Sequence, residues 1–167
     1  MRIVLKKIIL SVAVLSVLLL GIVTIVITLT KVKSSLISEV KDSLSGTAAT
    51  TLAAYNQHSG SYLRADNGDV WKGGYNISKS ESLLDNIKEK SGMDVTFFYG
   101  EERIMTSAKD SEGNRILGSP AGDVIVKKVL KGGKEYFSSS ISLDGTMNYG
   151  YYIPVYQMSI VPAKSFR

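Results

Sequence analysis

Hydrophobic positions are unevenly spread along this chain. From Ile8 to Thr30 there is no charged residue, and Leu, Ile and Val dominate. At about 1.5 Å of rise per residue, a helix over this run crosses a bilayer core of roughly 30 Å. After Lys31, Val32, Leu36, Val40 and Leu44 recur every fourth residue, so the helical pattern continues past the apolar run. Gly46 and the Ala/Thr stretch 47–54 weaken that pattern, since Gly costs about 1 kcal/mol in a helix.

Beyond Ser59 the texture changes. Asp66-Asn67-Gly68-Asp69 is a turn cluster between two short predicted strands, Tyr62-Leu63-Arg64 and Val70-Trp71. Ser78-Lys79-Ser80-Glu81 fits a capping box, and Leu83, Leu84 and Ile87 give one apolar face. Gly92 is a natural stop, so a helix is expected over about 80–91. Val95–Tyr99 and Arg103–Ser107 form a predicted hairpin around Gly100-Glu101-Glu102, followed by a polar loop over 109–115. Pro120 and Asp123 precede a short helix bearing Val124, Ile125, Val129 and Leu130, ended by Gly132-Gly133. Tyr136–Leu143 and Thr146–Tyr156 are strands around Asp144-Gly145, a strong hairpin signal. The fold class is α+β: an antiparallel sheet with helices on one side.

Charge sharpens the N-terminal reading. The chain has 20 basic and 15 acidic residues, and Arg2, Lys6, Lys7, Lys31 and Lys33 flank the apolar run. Removing those five leaves fifteen bases against fifteen acids. The basic surplus therefore belongs to an anchor, and a nucleic-acid partner is not expected. The run exceeds the roughly 7–15 residues of a signal-peptide core, and the segment after it lacks an Ala-x-Ala site. An uncleaved anchor is expected, with basic residues on both sides leaving its orientation open. No cysteine is present, which excludes a disulfide frame and thiolate zinc. The helix beyond the span fits either a single core helix or a homodimer seam.

Met93–Phe98, Arg103–Ser107, Lys109–Arg115 with Gly118, Lys134–Phe137 and Tyr149–Val155 together resemble the single Cache domain of bacterial methyl-accepting chemotaxis receptors. The resemblance implies a PAS-like sheet, an extracytoplasmic domain, a cytoplasmic N-terminus, a small-molecule ligand and a parallel homodimer through the long helix. It divides the chain into a cytoplasmic N-terminus (1–7), a transmembrane helix (8–30), a ligand-binding domain (31–157) and an atypical tail (158–167). Such receptors continue into a last strand, a second span, a HAMP linker and a signalling coil. Here Ser159-Ile160-Val161 is cut short by Pro162, so the chain is read as a fragment or truncated form. Membrane histidine kinases and cyclic-dinucleotide enzymes share this input domain, and a standalone membrane-tethered binding protein is a further class.

Catalysis finds little support. His58 is the only histidine, in a Ser/Gly-rich segment expected to be a solvated loop, and no nucleophile elbow is present. No enzyme activity and no cofactor is expected. The binding candidates are Arg103, Thr106, Ser107, Tyr136, Tyr149 and Tyr151, around a pocket on the sheet closed by residues 107–130. Arg can hold a carboxylate through paired hydrogen bonds, Tyr offers a flat ring with a polar tip, and the hydroxyls add short contacts. Packing of Tyr149 and Tyr151, and pairing of Arg103 with Glu101, are the structural alternatives.

Overall fold

The computed structural model describes residues 2–143 and 145–156; the expected tail, 158–167, lies outside the described residues. The chain divides into two units, Met1–Val40 and Lys41–Arg167. One helix, α1 (Arg2–Asn56), contributes to both.

In the first unit α1 presents its apolar side chains outward, Leu20 being 68% exposed. It is long and apolar enough to cross a membrane. Three of its hydroxyls bond back to the helix: Ser11, Ser16 and Thr24 donate to the carbonyls of Lys7, Val12 and Leu20 at 2.9, 2.8 and 2.9 Å. Satisfying every polar group within the segment is what a hydrocarbon environment demands.

The second unit begins with the C-terminal part of α1. Gly46 does not interrupt the helix, because one unfavourable residue is outweighed by the turns on either side. Then come β1 (Tyr62–Arg64), β2 (Val70–Lys72) and β3 (Tyr75–Asn76), an antiparallel meander. The Asn67-Gly68 turn forms as expected, Asp69 N–H donating to Asn67 Oδ1 at 3.0 Å. A one-turn 3-10 helix, Ile77–Lys79, leads into α2 (Glu81–Ser91), which ends at Gly92 with φ 71°. The capping box is not formed. Ser78 Oγ instead accepts from Val70 N–H at 2.9 Å, and Ser80, at the cap position, turns its hydroxyl inward. Tertiary partners won over the local pattern.

Strands β4 (Thr96–Tyr99) and β5 (Glu102–Thr106) form a hairpin with an irregularity between Phe97 and Phe98. The far side of β5 is occupied by a loop: Arg103 N–H donates to Ser119 O at 3.1 Å and Gly118 N–H to Arg103 O at 2.9 Å. A short helix, α3 (Asp123–Ile125), runs into a π-helical turn at Val126–Leu130. Finally β6 (Tyr136–Leu143) and β7 (Thr146–Tyr152) pair around a two-residue loop, Leu143 facing Thr146. β7 stops four residues short of the expected Tyr156, since Pro154 has no N–H to give a ladder. The architecture is α+β, with the antiparallel strands divided among three small sheets rather than one.

The main core joins Tyr55, Tyr62, Val70, Ile77, Leu84, Val95, Ile104 and Met105. Tyr55, at the end of α1, is fully buried and meets Phe97 edge-on at 5.3 Å. His58 departs from the expected solvated loop: it is half-buried and stacks on Tyr75 at 4.0 Å.

Candidate functional site

A cleft of about 590 Å³ opens in the second unit, within the range of small-molecule sites. One wall is α1, through Thr47, Ala48, Thr51 and Tyr55; others are β4, the Ile125–Val129 turn and β7. The i, i+4 spacing of an α-helix puts Thr47, Thr51 and Tyr55 on one face. Thr51 spends its hydroxyl on Thr47 O at 2.8 Å, so this wall is largely apolar.

Arg103 is the cation of the lining. It is carried on β5 beside the bulge in β4, which sets its guanidinium carbon 5.4 Å from the Phe98 ring centre. Its Nε and Nη1 are buried and have no hydrogen-bond partner among the described residues. Burial pulls its pKa down from the usual value, with Tyr152 acting in the opposite sense; an arginine remains charged regardless. The anticipated pairing with Glu101 is absent; the neighbouring Glu102 instead meets Arg64 at 2.8 Å. The acid of the lining, Asp94, is occupied by Lys88 at 2.8 Å and by the Ser107 hydroxyl at 2.9 Å. An unpartnered cation among aromatic rings suits an anion with an apolar body.

Of the six expected residues, Arg103, Tyr149 and Tyr151 line the cleft, whereas Thr106, Ser107 and Tyr136 lie outside the lining. Thr106 is fully buried, its hydroxyl shared with Thr96 at 2.7 Å and Val95 O at 3.2 Å. Ser107 Oγ accepts from Val95 N–H at 2.9 Å as it donates to Asp94. Both hydroxyls hold β4 and β5 in register. Tyr136 pairs across from Tyr152 and carries Lys128 Nζ 4.1 Å above its ring. Tyr149 stacks on Phe137 at 5.9 Å. Tyr151 donates to the Glu135 carboxylate in a short hydrogen bond, which raises its pKa.

Phe98, Tyr152 and Tyr55 line the cleft without having been singled out. Tyr152 is half-buried, and burial raises its pKa while Arg103 lowers it. Its position directly after Tyr151 concealed it, because strand alternation assigns neighbours to opposite faces.

A small α+β domain with an aromatic cleft around one guanidinium has the form of a ligand-binding domain. Residues 75–161 match the family model Single cache domain 3, and the chain belongs to that family of small-molecule sensor domains. Cache domains sense rather than catalyse. No curated protein and no solved structure matches the chain.

Proposed function

We propose that this chain is the input portion of a transmembrane receptor, sensing a small carboxylate-bearing metabolite outside the cytoplasm. In this reading residues 1–7 are cytoplasmic, 8–30 cross the membrane and 31–157 form the extracytoplasmic domain, with 158–167 as a tail. The chain pairs with a second copy through α1 and serves chemotactic signalling. The observation that carries it is Arg103 in the cleft, beside the Phe98 ring, whose buried Nε and Nη1 have no hydrogen-bond partner among the described residues. A carboxylate supplies what the guanidinium lacks, through two parallel charge-assisted hydrogen bonds. Tyr149 and Tyr151 then contact the body of the ligand.

The test is a thermal-shift screen of the full chain in detergent micelles against mono- and dicarboxylates and amino acids. A true ligand at a hundredfold excess over its Kd stabilises by about 2.7 kcal/mol. For a domain of this size that is about 10 °C. Arg103→Gln removes a charge-assisted contact and weakens binding about 10- to 100-fold. An unchanged affinity in Arg103→Gln, or a cooperative melt that no anion moves, refutes the reading.

A further inference from the structure

Away from the cleft, positive charge is gathered in one short stretch. Apart from the five bases that flank the apolar run, bases and acids balance along the chain. Yet Lys127, Lys128, Lys131 and Lys134 fall within eight residues, and the stretch 124–134 contains no acid. It takes in the end of α3 and the π-helical turn that follows. Like charges held this close repel one another. Among the described residues no salt bridge reaches any of the four lysines. Asp144 is the one acidic side chain outside those residues, enough for a single pairing at most.

The turn that carries these charges is seated in the domain. Val126 and Val129 are only 9% and 3% exposed. Lys131 N–H donates to Val126 O at 2.9 Å and Gly133 N–H to Val129 O at 3.0 Å, closing its end. With the two valines turned inward, all four lysines are exposed. So are Val124 and Leu130, at 49% and 42%. Aliphatic side chains set among ammonium groups suit the interface of an anionic bilayer, where the apolar groups enter the acyl boundary and the cations meet headgroup phosphates. A soluble polyanion offers the same charge but gives Val124 and Leu130 no apolar phase to enter. A bilayer is also the surface this chain brings with it, since α1 is long and apolar enough to cross one. A tether raises the effective concentration of whatever it is fixed in.

We propose that residues 124–134 form a docking surface for the headgroup region of an anionic bilayer. The inference rests on α1 spanning a bilayer and is independent of what the cleft binds.

The test uses the full chain in nanodiscs of phosphatidylcholine alone or of an equal mixture with phosphatidylglycerol. Both leaflets carry the same lipids, so the outcome does not depend on the side on which the domain lies. Acetylation of each lysine is followed by mass spectrometry. Lys127, Lys131 and Lys134 are expected to react about fivefold more slowly in the mixed discs, the factor that one lysine gains near an anionic surface. Lys79 and Lys90, exposed elsewhere, are the references and react alike in both. Molar salt abolishes the difference by screening. The chain has no cysteine, so a bimane on Leu130→Cys reports a single site. Nitroxide-bearing lipid quenches it in the mixed discs and leaves a bimane on Leu63→Cys, also an exposed position, unchanged. The double variant Lys127→Glu/Lys131→Glu loses both effects while keeping a cooperative melt. Equal reactivity in the two discs, or equal protection in both, overturns the proposal. Protection without quenching at position 130 shows counter-ion screening at a distance and overturns it as well. Protection by soluble polyphosphate where the mixed discs give none marks a polyanion site instead and likewise overturns it. A chain that does not insert into the discs refutes the span and the proposal together, whereas insertion without docking refutes the proposal alone.

Discussion

Tyr55 gives the sharpest test of how α1 is fastened into the domain. Its ring is fully buried, and its hydroxyl lies 2.6 Å from Ser80 Oγ. Ser80 in turn donates to Ile77 O at 2.6 Å, so Tyr55 is the donor in the first bond. Tyr55→Phe keeps the ring against Phe97 and removes only that donor, at a cost of about 1–2 kcal/mol. Ser80→Ala leaves a phenol buried without an acceptor, at a cost of about 1–3 kcal/mol. The double variant leaves neither group stranded, so its loss falls short of the sum by about 1 kcal/mol. Urea unfolding of the micelle-bound chain, followed by the fluorescence of Trp71, the single tryptophan, measures all three. Each kcal/mol also lowers Tm by about 4 °C in a domain of this size. Losses that add to within about 0.3 kcal/mol refute the reasoning, because independent sites behave that way.

Two further outcomes follow from the same structure. Gly73 has φ +55°, and a Cβ there would run into the backbone carbonyl of Ser59; Gly73→Ala should cost about 1–3 kcal/mol in the same unfolding assay, from strain and the forced shift together. Asp85 is held below the usual carboxylate range by hydrogen bonding to Arg115, at 3.0 and 2.6 Å. A depressed folded pKa contributes stability above the unfolded pKa and loses it as pH falls through the folded one. The Tm advantage of the wild type over Asp85→Asn should therefore be full at pH 7, begin to fall near the unfolded carboxylate pKa of about 4, and be lost as pH drops through the lower folded pKa, its size limited to about 1 kcal/mol by exposure.

The elements that could be read from the sequence are those whose cause is local. The uncharged run to Thr30 requires a long helix, Asn67-Gly68 a turn, and Gly92 a helix stop. What escaped reading depends on residues distant in sequence. Ser78 and Ser80 satisfy a capping pattern, yet Val70 and Tyr55 claim their hydroxyls. Thr106 and Ser107 have the chemistry of ligand contacts, yet Val95, Thr96 and Asp94 use it within the fold. Arg103 stood out because a guanidinium can hold a carboxylate through paired hydrogen bonds. Its companions Phe98 and Tyr152 did not, because alternation expects every second residue of a strand to line a cavity, whereas here consecutive residues line it.

The burial pattern gives the cleft walls of unequal endurance. The main core draws on the end of α1, β1, β2, α2 and β5, and none of its described members comes from β6 or β7. Met147 and Tyr149 are instead 64% and 44% exposed. Backbone amides exchange with solvent through local openings whose cost follows buried contacts. The β6–β7 hairpin thus opens at a fraction of the free energy needed for the wall carrying Tyr55 and Phe97. Occupancy of the cleft joins a labile wall to a durable one, and its imprint in hydrogen exchange falls on Asn148–Tyr152 far more than on Thr96–Tyr99.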